Sequence, residues 1–213
     1  MAVRAAAPRA LALALLVLAR GAGALKVVIA GGTGPFGQRV AAALSSHEVT
    51  LLTRNAFLAA SPSRVTEVFG WVGESYLRAH PHVSLRDWDG GDLTDITGSD
   101  WLRWQDDALS GADVVINLVG GYTPQRPMAA GRLSRESLRF SPDALQVSVA
   151  PTAAALKALT PGMAEVKMAR VDECERAAQK CRNNLCLRLD ADLDAGCAAV
   201  LEAVENAAAA VKA

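Results

Sequence analysis

Short apolar runs alternate with segments of helical periodicity along most of the chain. Runs of this length, rich in Val, Ile and Leu, are typical of strands buried on both faces of a sheet. The predicted strands are Lys26–Ala30, Glu48–Thr53, a strand beginning at Val83–Leu85, Asp113–Leu118, Ala144–Val149 and Leu185–Leu189. Because helices separate these strands, the pattern predicts an α/β fold, a single doubly wound domain with a parallel sheet of about six strands.

Six segments between and after the strands carry the helical pattern. The predicted helices are Gln38–Leu44, Val65–Ala79, Leu133–Phe140, Pro151–Leu159 as a short helix or loop, Met163–Lys180 and Gly196–Ala213. The second of these contains Gly70 and Gly73, which weaken it as a helix.

A glycine cluster lies directly between the first predicted strand and the first predicted helix. The pattern is Gly32-x-Gly34-x-x-Gly37, preceded by Gly31. In this context glycines permit a tight turn, let a pyrophosphate approach the backbone and allow close packing of helix on strand, as in Rossmann-like domains. A glycine turn with a structural role alone is the alternative. The predicted dinucleotide-binding residues here are Gly31, Gly32, Thr33, Gly34, Pro35, Phe36 and Gly37.

The second strand ends at an arginine rather than an acidic residue. An acidic side chain at this point binds the ribose 2′-hydroxyl of NAD, whereas an arginine accommodates the 2′-phosphate of NADP. Arg54, with Arg39 as an expected helper, therefore favours NADP over NAD as the cofactor. An ordinary surface arginine is the alternative.

Two later strand ends face the same predicted crevice. Asp92 is placed to contact an adenine amino group, or else caps the segment that follows it. Asn117 to Tyr122 follow the fourth strand, and ligands of open parallel sheets collect at the carboxyl ends of the strands. We therefore expect the end of the fourth strand and the glycine turn after the first strand to converge on one ligand.

The first 24 residues differ from the rest of the chain. Arg4 and Arg9 precede the apolar run Leu11–Ala19, and Ala22-Gly23-Ala24 resembles the end of a secretory signal peptide. Three arginines without acidic residues leave an organellar presequence, mitochondrial or plastid, as the alternative. The apolar run is too short for a permanent membrane span. The sequence thus predicts a leader over residues 1–24 and an NAD(P)-binding domain over residues 25–213.

Composition narrows the class of partner. The 213 residues carry 22 basic and 22 acidic side chains and are only 5% aromatic, so neither charge nor stacking surface favours nucleic acid. The four cysteines, all in the last quarter, match no metal-binding spacing and are expected to be free thiols or, in an oxidising lumen, a disulfide. The expected partners are a dinucleotide and a small molecule.

The ordered motifs resemble a known family. VVIAGGTGPFG, EVTLLTR, GDLTD and ADVVINLVGG are similar to the atypical and extended short-chain dehydrogenase/reductases, and among them to the NAD-dependent epimerase/dehydratase-like proteins. The resemblance extends from Leu25 to about Gly121. It implies a nicotinamide dinucleotide whose pyrophosphate lies against Gly31, Gly34 and Gly37, with its ribose near Arg54. It also places Asp92 and Leu93 around the adenine and Asn117, Leu118 and Gly120 along the cofactor.

The same resemblance implies catalytic residues that this chain does not fully supply. The family uses a tyrosine four residues before a lysine, together with a serine or threonine. Here Met163 and Lys167 occupy the tyrosine and lysine places, and Ser148 matches the serine. Tyr122 is the candidate acid outside that pattern.

Two functions remain open at this point. The first is an NADP-dependent reductase or epimerase acting on a small carbonyl or sugar-nucleotide substrate. The second is a dinucleotide-binding sensor, scaffold or assembly factor without turnover.

Overall fold

The chain folds around one parallel sheet. The computed structural model of the chain describes residues 24–63, 71–88, 105–119, 125–159, 162–190 and 192–212. Its strands are β1 (Lys26–Ala30), β2 (Glu48–Thr53), β3 (Val83–Asp87), β4 (Val114–Asn117), β5 (Leu145–Pro151) and β6 (Asn183–Leu189). Its helices are α1 (Pro35–Ala43), α2 (Ala56–Ala60), α3 (Glu74–Ala79), α4 (Gln125–Phe140), α5 (Ala153–Leu159), α6 (Ala164–Ala178) and α7 (Leu193–Lys212), with a π-helical turn at Gln105–Leu109.

The order of the strands creates a crevice at the centre of the sheet. The six strands lie in the order β3-β2-β1-β4-β5-β6, and every pair is parallel. The chain therefore builds outward from β1 in one direction, returns, and builds outward from β4 in the other. Connections that diverge in this way leave room for a ligand beyond the carboxyl ends of β1 and β4. The predicted doubly wound α/β fold is confirmed.

Alternate residues of the central strands pack into two separate layers. Val27 and Ile29 of β1 lie in the core beneath α1 and α7, whereas Val28 and Ala30 lie in the core on the side of α4. Both layers are apolar, and continuous apolar strands are what burial on two faces requires. The rigid sheet fixes the positions of the residues that follow each strand.

Several predicted boundaries differ from the structure. Helix α3 begins only at Glu74, because Gly73 has φ of 88°, a left-handed conformation that interrupts an α-helix. The prediction of helix at residues 71–73 is therefore wrong. Helix α4 begins at Gln125, eight residues before the predicted start. Strands β5 and β6 each extend two residues beyond the predicted bounds at one end, and β3 begins at Val83 as predicted.

The remaining features bear on the predicted leader and the thiols. Residues 1–23, which include nearly all of the predicted leader, lie outside the described residues. Over the ranges given above, no helix combines the length and the apolar character needed to cross a membrane.

All four cysteines fall within those ranges and are free thiols, with Cys174 and Cys181 buried.

Candidate functional site: the glycine turn and its cavity

Gly31 directly follows β1 and packs against the backbone that leaves β4. Its φ of 79° is unfavourable for any residue with a side chain. A Cβ at this position would lie 3.1 Å from the carbonyl carbon of Leu118 and 3.2 Å from the nitrogen of Val119. The turn after β1 therefore packs directly on the backbone after β4, so the two strand ends converge as predicted.

Gly32 and Gly37 allow α1 to approach the sheet. A Cβ on Gly37 would lie 2.7 Å from the carbonyl oxygen of Gly32 and closer still to its Cα. A Cβ on Gly32 would lie 2.6 Å from Cδ2 of Leu51 on β2. Gly37 is thus required by the packing of the turn, whatever the turn binds, whereas at Gly32 the Leu51 side chain would have to move.

Gly34 has no such packing requirement. It caps α1 with φ of −77°, a conformation open to any residue, and no side chain caps this helix at Gly34. A Cβ here would meet nothing closer than the carbonyl oxygen of Gly31 at 3.9 Å. Gly34 instead lines an open cavity, so the absence of a side chain keeps space free beside the N–H groups of the first turn of α1.

Side-chain hydrogen bonds of Gln38 and Tyr76 support the glycine turn, and the sequence did not predict them. The Gln38 side-chain amide donates to the carbonyls of Thr33 (2.8 Å) and Trp71 (3.0 Å). Tyr76 donates to the carbonyl of Gln38 at 2.6 Å. Burial raises the pKa of Tyr76 to about 12, so this phenol is a structural donor rather than an acid for proton transfer. A single Gln after the last glycine is not a recognisable motif, so the sequence carried no signal for these hydrogen bonds.

The cavity lies at the carboxyl ends of β1, β4, β5 and β6. Its volume is about 460 Å³, within the range of small-molecule sites. Among the described residues it is lined by Gly31, Gly34, Pro35, Phe36, Gly37, Leu118, Val149, Ala150, Pro151, Ala155, Leu189, Asp190, Asp192 and Leu193. The structure therefore brings five of the predicted turn residues, together with Leu118, around one space.

Two carboxylates on the far wall were also missed. Asp190 and Asp192 follow β6, and both line the cavity. The sequence contained a usable signal, because polar residues directly after a parallel strand face the ligand edge of the sheet. They were overlooked because they belong to no nucleotide-binding motif.

The arginines are separated in the structure. Arg54 is exposed at the carboxyl end of β2, where a ribose 2′-substituent was predicted. Arg39 forms an ion pair with Asp194 of α7, a helix that packs on β5 and β6 in the other half of the sheet. The Arg39 guanidinium is engaged by Asp194 in this structure, and a role for Arg39 beside Arg54 stays a prediction.

Asn117 ends β4 in the interior. It is 1% exposed, and its side-chain oxygen accepts from the backbone nitrogen of Val119 at 3.0 Å. Its amide nitrogen is buried with no hydrogen-bond partner among the described residues. Asn117 thus shapes the chain between β4 and the cavity, next to Leu118, which lines it.

The family-derived catalytic positions lie on two elements, β5 and α6. Ser148 is 2% exposed within β5 and pairs in register with Asn117, whereas the cavity is lined by the three residues after it. Met163, in the tyrosine place, is 48% exposed where α6 begins, and Lys167 is half-buried one turn later. Neither of these two lines the cavity among the described residues. A catalytic role for Ser148 or Lys167 stays a prediction.

Four predicted site residues cannot be placed by this structure. Asp92, Leu93, Gly120 and Tyr122 lie outside the described residues. Their roles in binding adenine, binding the cofactor along β4 and supplying an acid remain predictions.

Comparison with known proteins identifies the fold. No protein-family model matches the chain, and no curated protein matches it. A solved structure described as a short-chain oxidoreductase from Thermus thermophilus superposes with a TM-score of 0.55 at 16% identity, over 84% of this chain and 96% of that one. A variant of NmrA superposes with a TM-score of 0.51 at 13% identity, over 76% of this chain and 44% of NmrA.

A further neighbour was solved with ligands. WbmG from Bordetella bronchiseptica, in complex with NAD and UDP, superposes with a TM-score of 0.48 at 11% identity, over 78% of this chain and 53% of WbmG. This chain thus spans about half the length of WbmG and less than half that of NmrA. The strand order and the Thermus superposition together show that this chain has a Rossmann-like fold.

Proposed function

We propose that this protein binds a nicotinamide dinucleotide in the cavity beside the turn Gly31–Gly37. The observation that carries the proposal is Gly34. Neither φ nor packing requires glycine there, yet a side chain would project into the space next to the N-terminus of α1. A pyrophosphate needs that close approach, because it binds to backbone N–H groups at the positive end of the helix dipole.

In this fold the two halves of a bound dinucleotide lie on opposite sides of the glycine turn. With the pyrophosphate at α1, the adenosine half extends toward β2 and β3, and the nicotinamide half enters the cavity beneath β4, β5 and β6. Phe36, Leu118, Val149 and Pro151 form apolar walls there, suited to a flat ring. When bound, the nicotinamide ring is the group that exchanges hydride.

We further propose NADP as the preferred cofactor, on the position of Arg54. An Arg54→Asp variant should lose NADPH affinity by roughly 10- to 100-fold, because a charge-assisted contact to the 2′-phosphate becomes a repulsion. NADH affinity should change little. The measurement is calorimetric titration of both cofactors.

The control for Arg54 is an arginine at the opposite edge of the sheet. Arg182 is exposed and directly precedes β6, so Arg182→Asp makes the same change of charge far from the cavity. An unchanged ratio of NADPH to NADH affinity in Arg54→Asp would remove the assignment of NADP and leave the dinucleotide site standing.

A binding role without turnover is the function that the described cavity supports best. The family's tyrosine position is an exposed Met163, and Ser148 is buried within β5. Tyr76 is committed to the carbonyl of Gln38 on the far side of the turn. A sensor, scaffold or assembly factor needs the cofactor site and no proton donor.

An enzymatic role has one observation in its favour. Asp190 and Asp192 line the cavity, and a carboxylate can act as a general base. The second candidate is therefore a reductase or epimerase of a small carbonyl or sugar-nucleotide substrate.

One experiment separates these possibilities. The full-length protein is titrated with NADPH and NADH by fluorescence, and bound NADPH is then exposed to a panel of aldehydes, ketones and nucleotide sugars. We expect saturable binding without consumption. Turnover of any compound would establish the enzymatic alternative, and absence of binding by both cofactors would refute the proposal as a whole.

A further inference from the structure

The wall that faces the glycine turn is negatively charged. Asp190 and Asp192 line the same cavity as Gly34, but they enter it from the end of β6 and the start of α7. A ligand bound beside Gly34 therefore shares the cavity with two carboxylates.

Hydrogen bonds hold both carboxylates in place. Thr152 donates its hydroxyl to Oδ1 of Asp190 at 2.7 Å. Oδ1 of Asp192 accepts from the backbone nitrogens of Asp194 (2.9 Å) and Ala195 (3.1 Å), so it caps α7. Both carboxylates are exposed where they border the cavity, and these hydrogen bonds orient them.

No positive side chain balances them among the described residues that line the cavity. The rest of that lining is glycine, proline and apolar side chains. Arg39, the basic residue of α1, is paired with a different carboxylate, that of Asp194. The charged side chains that border this cavity within the described ranges are thus both acidic.

We infer that this site binds the oxidised dinucleotide more tightly than the reduced one. The inference rests on the proposed function. The two redox forms carry the same pyrophosphate, so any repulsion between it and the wall cancels in the ratio of their affinities. They differ at the nicotinamide ring, which is a cation when oxidised and neutral when reduced. In the proposed orientation the ring would lie in the half of the cavity that Asp190 and Asp192 border.

The size of the cavity determines how strongly the two carboxylates favour the oxidised form. A sphere of its volume is about 10 Å across, so both carboxylates act on the ring across a short and partly screened distance. We expect about three- to tenfold tighter binding of the oxidised form. A tenfold preference lowers the two-electron potential of the bound cofactor by about 30 mV.

The test compares the two redox forms in full-length protein. Dissociation constants for NADP⁺ and NADPH are measured calorimetrically in the native chain and in a double variant, Asp190→Asn with Asp192→Asn. Asparagine keeps an acceptor for Thr152 and remains a good cap for α7. The variant therefore removes charge with little change of structure. Glu202→Gln, on an exposed position of the same helix and about 15 Å further along its axis, is the matched control.

The outcomes distinguish this inference from the proposed function. We expect the preference for NADP⁺ to fall toward unity in the double variant, to shrink in high salt and to persist in Glu202→Gln. Equal affinities in the native chain, or a preference that the double variant retains, would overturn the inference while dinucleotide binding stands. Failure of both redox forms to bind the native chain would overturn the proposed function and this inference with it.

Discussion

Substitution of Gly34 by Asp is expected to abolish dinucleotide binding in a chain that still folds. The backbone at Gly34 suits any residue, and a Cβ would lie 3.9 Å from its nearest neighbour. Aspartate is among the best residues for capping a helix, so stability should be unchanged or slightly higher. Its carboxylate would occupy the anion position at α1 and repel the pyrophosphate, and we expect a loss of affinity of at least about 100-fold.

Gly34→Ala provides the graded comparison. A methyl group crowds the site without adding charge, so its effect on affinity should lie between those of the native chain and Gly34→Asp. Circular dichroism and thermal unfolding establish that each variant is folded, and titration with NADPH gives the affinity. Native affinity in a folded Gly34→Asp protein would show that the ligand of this cavity does not use the N-terminus of α1.

Substitution of Gly37 by Ala is expected to destabilise the fold itself. The added methyl would overlap the backbone of Gly32, which cannot rotate away as a side chain could. Overpacking of this kind costs about 3 kcal/mol, and the better helix propensity of Ala offsets about 1 kcal/mol. The net loss of about 2 kcal/mol corresponds to a fall in Tm of about 4–8 °C for a domain of this size.

Gly131 provides a matched control for that measurement. It lies within helix α4, and a Cβ there meets nothing within 4 Å. Gly131→Ala should therefore raise the free energy of unfolding by up to about 1 kcal/mol. If chemical denaturation finds the two variants equally stable, the close packing of Gly37 on Gly32 is not a constraint on this fold.

The central sheet and the glycine turn could be predicted because their signals are local. Buried parallel strands need continuous apolar runs, and the turn after β1 needs glycines at fixed spacing. Strand β2 was predicted with the bounds that the structure has. Helix α3 was not, because the left-handed backbone of Gly73 depends on its packing as well as on its residue type.

The partners around the cavity could not be predicted in the same way, although Asp190 and Asp192 carried the general signal of polar residues directly after a parallel strand. Asp194 and Arg39 are 155 residues apart, and nothing in the local sequence links them. Asp190 and Asp192 enter the site only because β6 is the sixth strand of a sheet whose order reverses between β1 and β4. For Ser148 the match to the family motif was clear from the sequence, but its burial within β5 was not.

The cavity is complete only when α1 and α7 are in contact. The glycine turn lies near the start of the described chain, whereas Asp192 and Leu193 come more than 150 residues later, at the start of α7. Phe36 and Gly196 bring these two helices into contact. A chain emerging from the ribosome therefore has its glycine turn long before the opposite wall exists. Ligand affinity at this site would accordingly report that the last helix has docked.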